Sequence, residues 1–437
     1  MVSFSEVRMR RPVIRLAHLS CIRSHAWGSS LLRGEVLSAS SAKERIRAFT
    51  IVNDGLRTTS LCLATDYGAA DDPRGREGIA HLLEHLLLFA PTRKGPSFSE
   101  HVSRQGGYCN AETHADGMVF SAQVHPDDAD AAVESLLEAV FAPRLDEVFL
   151  EQERETVLQE LTAADSDPSD LVQRAFAARV FEGHPLASPV GGLPESVEAL
   201  TIEHVLDVHR NVFLDRSFTL VAVGPRELGA VRTPENADTP PASPSTVSSE
   251  RPSARPGGVP DSWAEDFVWM CAGSAAPPVA APERAAYHVL EFMLGSRSTS
   301  MLYQRLRVDR QLAYVFESWY RGYGAAGSWS VIAGAESRNC DAIVLEVRRC
   351  LEEIASGGYG GDFFETARKQ AAVQVLREAE APFDLALSIA RKVKSGYRDW
   401  DLGTEIALIE NVTPEDVSRA AARTLEGFTV VARPEPS

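Results

Sequence analysis

Residues 78–89 read Gly78-Ile-Ala-His-Leu-Leu-Glu-His-Leu-Leu-Leu-Phe89, an apolar run broken by His81, Glu84 and His85 alone. A helix that is apolar all round is a buried helix. Its polar side chains must then find partners, because unpaired burial costs several kcal/mol. His81 and His85 are four residues apart and project from one helix face about one turn apart. That spacing suits two imidazoles binding one Zn²⁺. Glu84 falls beside them, placed to take a proton from water. The alternative is a pair of core histidines hydrogen-bonded to backbone.

A second segment bears on that choice. Residues 146–161, Asp-Glu-Val-Phe-Leu-Glu-Gln-Glu-Arg-Glu-Thr-Val-Leu-Gln-Glu-Leu, read as a helix. At about 100° per residue, Glu153 and Glu160 share a side with Phe149, Leu150, Val157 and Leu161. Glu151 and Glu155 fall on the opposite, solvent side. A carboxylate on a buried face needs a cation or a hydrogen-bond partner. Glu160 as third ligand, with Glu153 supporting it from behind, would meet that need.

The opening stretch also has an echo. His288-Val-Leu-Glu291-Phe292 repeats His81-Leu-Leu-Glu84-His85 after 207 residues. Val148-Phe-Leu-Glu151 returns as Asp362-Phe-Phe-Glu365 after 214. Thr201-Ile-Glu-His-Val, followed by the apolar strand Phe218-Thr-Leu-Val-Ala-Val223, returns as Thr413-Pro-Glu-Asp-Val and Phe428-Thr-Val-Val-Ala432 after 212. Both helices open on a Thr cap with acids in the first turn, and Pro414 sits at the first helical position. Three matches in order at near-constant offset indicate a duplicated domain. The mixture of helical and alternating segments, such as Gly117-Met-Val-Phe-Ser-Ala-Gln-Val124, gives an α+β fold: two copies, each a mostly antiparallel sheet packed with helices.

Residues 225–262 separate the copies. Eight of the 25 prolines lie between positions 225 and 260, among Ser, Thr, Arg and Glu, which reads as an exposed tether. The expected organisation is a basic extension over residues 1–40, a first domain over 41–224, the tether, and a second domain over 263–437. Residues 1–33 hold six Arg and one acid, Glu6. This is either a basic tail or strand, or a transit peptide.

The remaining composition excludes several classes. The 437 residues are 44% hydrophobic and 24% charged, ordinary for a chain that buries a sizeable core. A net charge of −17 makes nucleic acid and anionic membrane surfaces poor partners. No stretch reaches the ~18 apolar residues of a membrane helix. The six cysteines are scattered, which argues for free thiols in a reducing compartment.

With Glu160 lying 75 residues past His85, and Glu153 seven before it, H-x-x-E-H here resembles the M16 (pitrilysin-like) zinc metallopeptidases, the family of insulin-degrading enzyme and mitochondrial processing peptidase. The resemblance covers most of residues 45–433. Asn110-Ala111-Glu-Thr113 is similar to the family's edge strand, which implies that Asn110 and Ala111 dock substrate backbone by β-addition. Arg307 and Tyr314, seven apart, are similar to the family's Arg/Tyr pair, which implies substrate binding and transition-state stabilisation. In the second copy Phe292 stands for His85, Ala367 for Glu153 and Gln374 for Glu160, so one Zn²⁺ per chain is expected. Leu86, the segment Phe89-Ala-Pro-Thr-Arg-Lys-Gly95 and Gly117 depart from the family's usual residues.

The resemblance implies a zinc endopeptidase with Glu84 as general base, acting on peptides or leader segments. Complete single-chain members join two halves, each of this chain's size, around a chamber. This chain is therefore expected to form half of a clamshell, as a homodimer or with a related subunit. The competing expectation is a non-catalytic or scaffold subunit, against which the intact H-x-x-E-H counts. The expected location is a bacterial-type cytoplasm, with the mitochondrial matrix as the alternative.

Overall fold

Strands Ile46–Val52 (β2), Thr59–Thr65 (β3), Gly117–Val124 (β5) and Phe218–Gly224 (β6) are rich in β-branched residues and carry apolar side chains on both faces. A strand covered on both sides reads as a near-continuous apolar run. With Glu35–Val36 (β1) and Tyr108–His114 (β4) they form a six-stranded sheet in the order β1-β2-β6-β3-β5-β4. All pairings are antiparallel except β2 with β6. The computed structural model describes residues 35–36, 46–234, 237, 258–264, 266–397 and 400–435. Most of the basic extension and of the tether lies outside them.

One face of this sheet packs on helices Ile79–Phe89 (α1), Phe98–Arg104 (α2), Ala129–Phe141 (α3), Glu147–Asp165 (α4) and Ile202–Asn211 (α7) through Leu61, Leu63, Phe120 and Leu220. Between α4 and α7 run Pro168–Val180 (α5) and the short Pro194–Glu198 (α6).

The second unit repeats the plan. Strands Phe267–Ala276 (β7), Val315–Gly322 (β8), Gly327–Glu336 (β9) and Thr429–Arg433 (β10) form an antiparallel sheet in the order β10-β7-β9-β8. Its helices are Arg284–Leu294 (α8), Ser337–Ala355 (α9), Gly361–Glu380 (α10), Pro382–Lys394 (α11), Leu402–Glu410 (α12) and Pro414–Glu426 (α13). A π-helical segment, Tyr303–Asp309, follows α8. Helices α8, α10 and α13 take the places of α1, α4 and α7, as the sequence echoes predict. Thr201 and Thr413 both cap their helices and both close a reciprocal capping box.

The two units exchange a helix. α11, from the second unit, covers the other face of the first sheet: Leu385, Ile389 and Val393 pack on Ile51, Cys62, Val119 and Val221. α5, from the first, covers the second sheet, with Val172, Phe176 and Val180 against Cys271 and Ile332. Polar contacts follow the same seam. Asp116, in the β4–β5 turn, accepts from Lys394 Nζ at 2.6 Å, Ser395 Oγ at 2.7 Å and Gly324 N at 2.9 Å.

The start of the tether differs from the expected exposed chain. Leu228 and Val231 pack against the first core, and Gly229 N donates to Asp130 Oδ1 of α3 at 2.7 Å. The tether carries enough apolar residues at its start to continue the core by ten residues before proline and serine take over. Among the described residues Cys62, Cys109, Cys271, Cys340 and Cys350 are free thiols, and no helix is long and apolar enough to cross a membrane.

Candidate metal centre

The site begins with the start of α1. Gly78 adopts a left-handed φ of 96°, and a Cβ there would lie 2.6 Å from Gly191 O. Only glycine fits such a conformation and approach without strain. Asp72 caps the helix from outside it, accepting from Gly78 N at 2.7 Å and Ala80 N at 3.1 Å. Its carboxyl is pushed up to about 7 by burial, although these hydrogen bonds pull the other way.

α1 then delivers His81 and His85 side by side, with ring centroids 4.9 Å apart and planes at 85°. α4 crosses α1 and brings Glu160 Oε2 to 3.5 Å from His81 Nε2 and 3.4 Å from His85 Nε2. One ligand atom from each of the three residues lies within 4.8 Å of the others. Glu153, seven residues earlier on α4, sits behind His85, its Oε2 3.2 Å from Nδ1. A carboxylate in that position can accept Nδ1–H and so leave Nε2, on the Glu160 side, for a metal ion. Two imidazole nitrogens face one carboxylate oxygen, a donor set that a cation would complete.

Burial and neighbouring charge shift three of these groups. Burial, with a smaller push from His85, drives His81 down to about 4, so its ring is neutral at pH 7. Burial also pulls His85 down, but its bond to Glu153 and the charges of Glu84, Glu160 and Glu153 outweigh that and hold it above the usual histidine value. Glu84 is buried and pushed up to about 7, despite the nearby His85 and a hydrogen bond from Thr113 Oγ1 to its Oε2 at 3.0 Å. A carboxyl poised near 7 is the protonation state general acid–base chemistry requires.

Three features of the site lie beyond the sequence reading. Glu160, expected on a buried face, has a side chain 52% exposed; Glu153 is the enclosed one at 16%. Only Leu150, Val157 and Leu161 of α4 are buried, so most of the helix faces solvent. Thr113 was quoted only as part of a strand motif, yet it ties β4 to Glu84. Gly191, which follows α5 in the chain, lies against His81; a Cβ there would be 3.6 Å from Nδ1 and 2.5 Å from Leu161 Cδ2.

Asn110 and Ala111 lie on β4, the outer strand of the sheet, paired on one side with Ser121 and Phe120 of β5. Arg307 stacks over the Tyr303 ring at 5.4 Å, and Tyr314 stands 73% exposed just before β8, itself an edge strand. Among the described residues no hydrogen bond, ion pair or ring contact joins Arg307 or Tyr314 to the His81, His85 and Glu160 cluster. In the second unit Glu291, the counterpart of Glu84, accepts from Tyr320 N of β8 at 3.2 Å, repeating the carboxylate-to-edge-strand link without the metal ligands.

Residues 48–192, which hold the whole cluster, match the family Insulinase (Peptidase family M16), and residues 199–371 match the family's partner domain, described as Peptidase M16 inactive domain. The chain belongs to peptidase family M16. Among M16 relatives, it is 25% identical to a protein of Streptomyces coelicolor described as an uncharacterized zinc protease, over 93% of this chain and 91% of that one. Its fold is similar to a protease from Helicobacter pylori, with a TM-score of 0.81, 18% identity and coverage of 92% and 99%. It is also similar to a Pseudomonas fluorescens structure described as a peptidase M16 inactive domain, with a TM-score of 0.77, 16% identity and coverage of 90% and 96%.

Proposed function

We propose that this M16 chain is a zinc-dependent endopeptidase that hydrolyses peptides or leader segments. The observation that carries the reading is the group of three mutually facing donor atoms on His81, His85 and Glu160, with Glu84 buried beside them. These three residues would hold the ion, and Glu153 would orient His85. A Zn²⁺ there supplies Lewis acidity, which polarises a carbonyl and lowers the pKa of water toward ~7. Glu84 takes the proton of the attacking water and returns it to the leaving amine. Thr113 fixes its Oε2, and Oε1, which accepts no hydrogen bond among the described residues, carries the proton. The free side of β4 at Asn110 and Ala111 receives substrate backbone as an added strand.

Arg307 and Tyr314 would complete the site from a second subunit, a copy of this chain or a related one, closing a chamber and stabilising charge on the carbonyl oxygen. Their exposure and separation from the metal cluster within one chain support an assembly in trans. In the decisive experiment a peptide library is offered to the zinc-loaded chain, with and without chelator, and to Glu84→Gln. Glu84→Gln should bind zinc and cleave nothing; residual cleavage by it would sink the base assignment. Mixing Glu84→Gln with Arg307→Ala should restore cleavage if identical chains share sites, and an inactive mixture would refute that arrangement.

A further inference from the structure

The second unit keeps a hollow where its metal centre would have been. A cavity of about 380 Å³ opens between α10 and the loop after α8. Gln374, the counterpart of Glu160, lines it. So do Arg297, Lys369 and Arg377, three exposed cations. Among the described residues none of the three makes an ion pair. Arg297 lies over the ring of Phe292, the counterpart of His85, at 4.7 Å. A fixed guanidinium therefore stands near the position where the first unit gathers ligands for a metal cation. In a chain of net charge −17, three unpaired cations around one hollow are a directed feature.

The lining also says what kind of anion fits. Val373 contributes an exposed apolar wall. Gln370 donates to Thr299 Oγ1 at 3.0 Å and leaves its own Oε1 buried with no partner. A buried acceptor without a donor is a cost that a ligand N–H would remove. Cations, an apolar wall and a waiting carbonyl oxygen match an acidic peptide better than a bare inorganic anion, which has no N–H to give. The carboxylate beside the hollow, Glu378, is held by Gln374 Nε2 at 3.2 Å.

We propose that this hollow is a second peptide-binding site, taking a carboxylate of the substrate, from an acidic side chain or its C-terminus. As a statement about substrate class it rests on the peptidase reading, but as a binding site it can be tested without catalysis. The site selects acidic peptides and does no chemistry.

The test uses the full-length Glu84→Gln chain and a fluorescein-labelled octapeptide ending in Asp-Glu-Leu, against its Asn-Gln-Leu amide. Anisotropy should show the acidic peptide binding about tenfold more tightly, with the preference lost at high salt, as expected of three exposed charges. Arg297→Gln/Lys369→Gln/Arg377→Gln should remove the preference and leave binding of the amide unchanged. Equal binding of both peptides by the parent chain, or an undiminished preference in the triple variant, would overturn the proposal. So would tripolyphosphate displacing the peptide at concentrations where an unlabelled acidic peptide does not, which would mark a phosphate site. In the Glu84-intact chain the triple substitution should spare cleavage of a neutral peptide. Absence of all cleavage by the unsubstituted chain would count against the peptidase reading and leave the binding result to decide this one.

Discussion

Replacing Glu153 by Gln separates the metal centre's support from its ligands. Glu153 reaches no open ligand position; it lies 3.2 Å from His85 Nδ1 with its side chain mostly enclosed. With an ion bound, its carboxylate would accept Nδ1–H and leave Nε2, 3.4 Å from Glu160, free to ligate. Glutamine keeps the shape and can still accept through its amide oxygen, but the bond loses its charge. Bonds to charged groups contribute about 1.5–3 kcal/mol against about 1 for neutral ones, so the loss is about 0.5–2 kcal/mol, centred near 1.3. That is roughly tenfold in zinc affinity, at the low end of the 10–100-fold range for such supports. Glu153→Leu also removes the acceptor and frees the tautomer, and should approach the upper end. Chelator competition at pH 8, where protons compete weakly for the imidazoles, reads both values. Glu155→Gln, on the solvent face of α4, is the control and should bind zinc as the parent does. A Glu153→Gln affinity within about twofold of the control would refute the idea that His85 is held for metal by its rear partner.

Three further outcomes follow from other contacts. Thr113→Val removes the hydroxyl that donates to Glu84 Oε2, and kcat/KM should fall by roughly tenfold or more with zinc content unchanged; an unaltered rate would show that Glu84 needs no tie to β4. For Asp116, burial raises the carboxyl, but the Lys394 ammonium, Ser395 and Gly324 outweigh it and hold it below the usual carboxylate range. A depressed folded value means the contribution is full above the unfolded pKa of ~3.9 and is lost as pH falls through the lower folded value. Urea midpoints measured from pH 7 downward should therefore converge for the parent and Asp116→Asn only at strongly acid pH, and a constant gap would refute this. Ile389→Ala empties a site on α11 that is 2% exposed, which should cost about 2–5 kcal/mol and lower the unfolding of both units together; a shift confined to the second unit would contradict the helix exchange.

The cluster of His81, Glu84, His85 and Glu160 is legible in the sequence because its signals are local. His81, Glu84 and His85 share one helix, and helical periodicity alone separates Glu153 and Glu160 from Glu151 and Glu155. The duplication was legible because the echoes keep their order. What could not be read depends on long-range placement. Nothing in the apolar stripes of α5 and α11 says that each covers the other unit's sheet. Arg47 in the first position after Ile46 disguises β2, whose parallel pairing with β6 spans most of the first unit. Asp72 gives no sign of capping a helix six residues on, and Thr113 meets Glu84 only once β4 lies over α1. Glu160 was placed on the correct side of its helix, but how far that side is open depends on where the helix ends against its neighbours.

The exchanged helices set an order of events during synthesis. The unit that holds His81, His85 and Glu160 is encoded before residue 225, yet one face of its sheet is closed by Leu385, Ile389 and Val393. A nascent chain thus carries the histidines, the glutamates and most of the first core while Ile51, Cys62, Val119 and Val221 still lack their cover. Completion waits until residues 385–393 have left the ribosome. Until then the half-built peptidase presents an apolar sheet, the kind of surface that chaperones bind and that aggregates if left bare. A product cut before α11 would retain His81, His85 and Glu160 and lack the layer that covers their sheet.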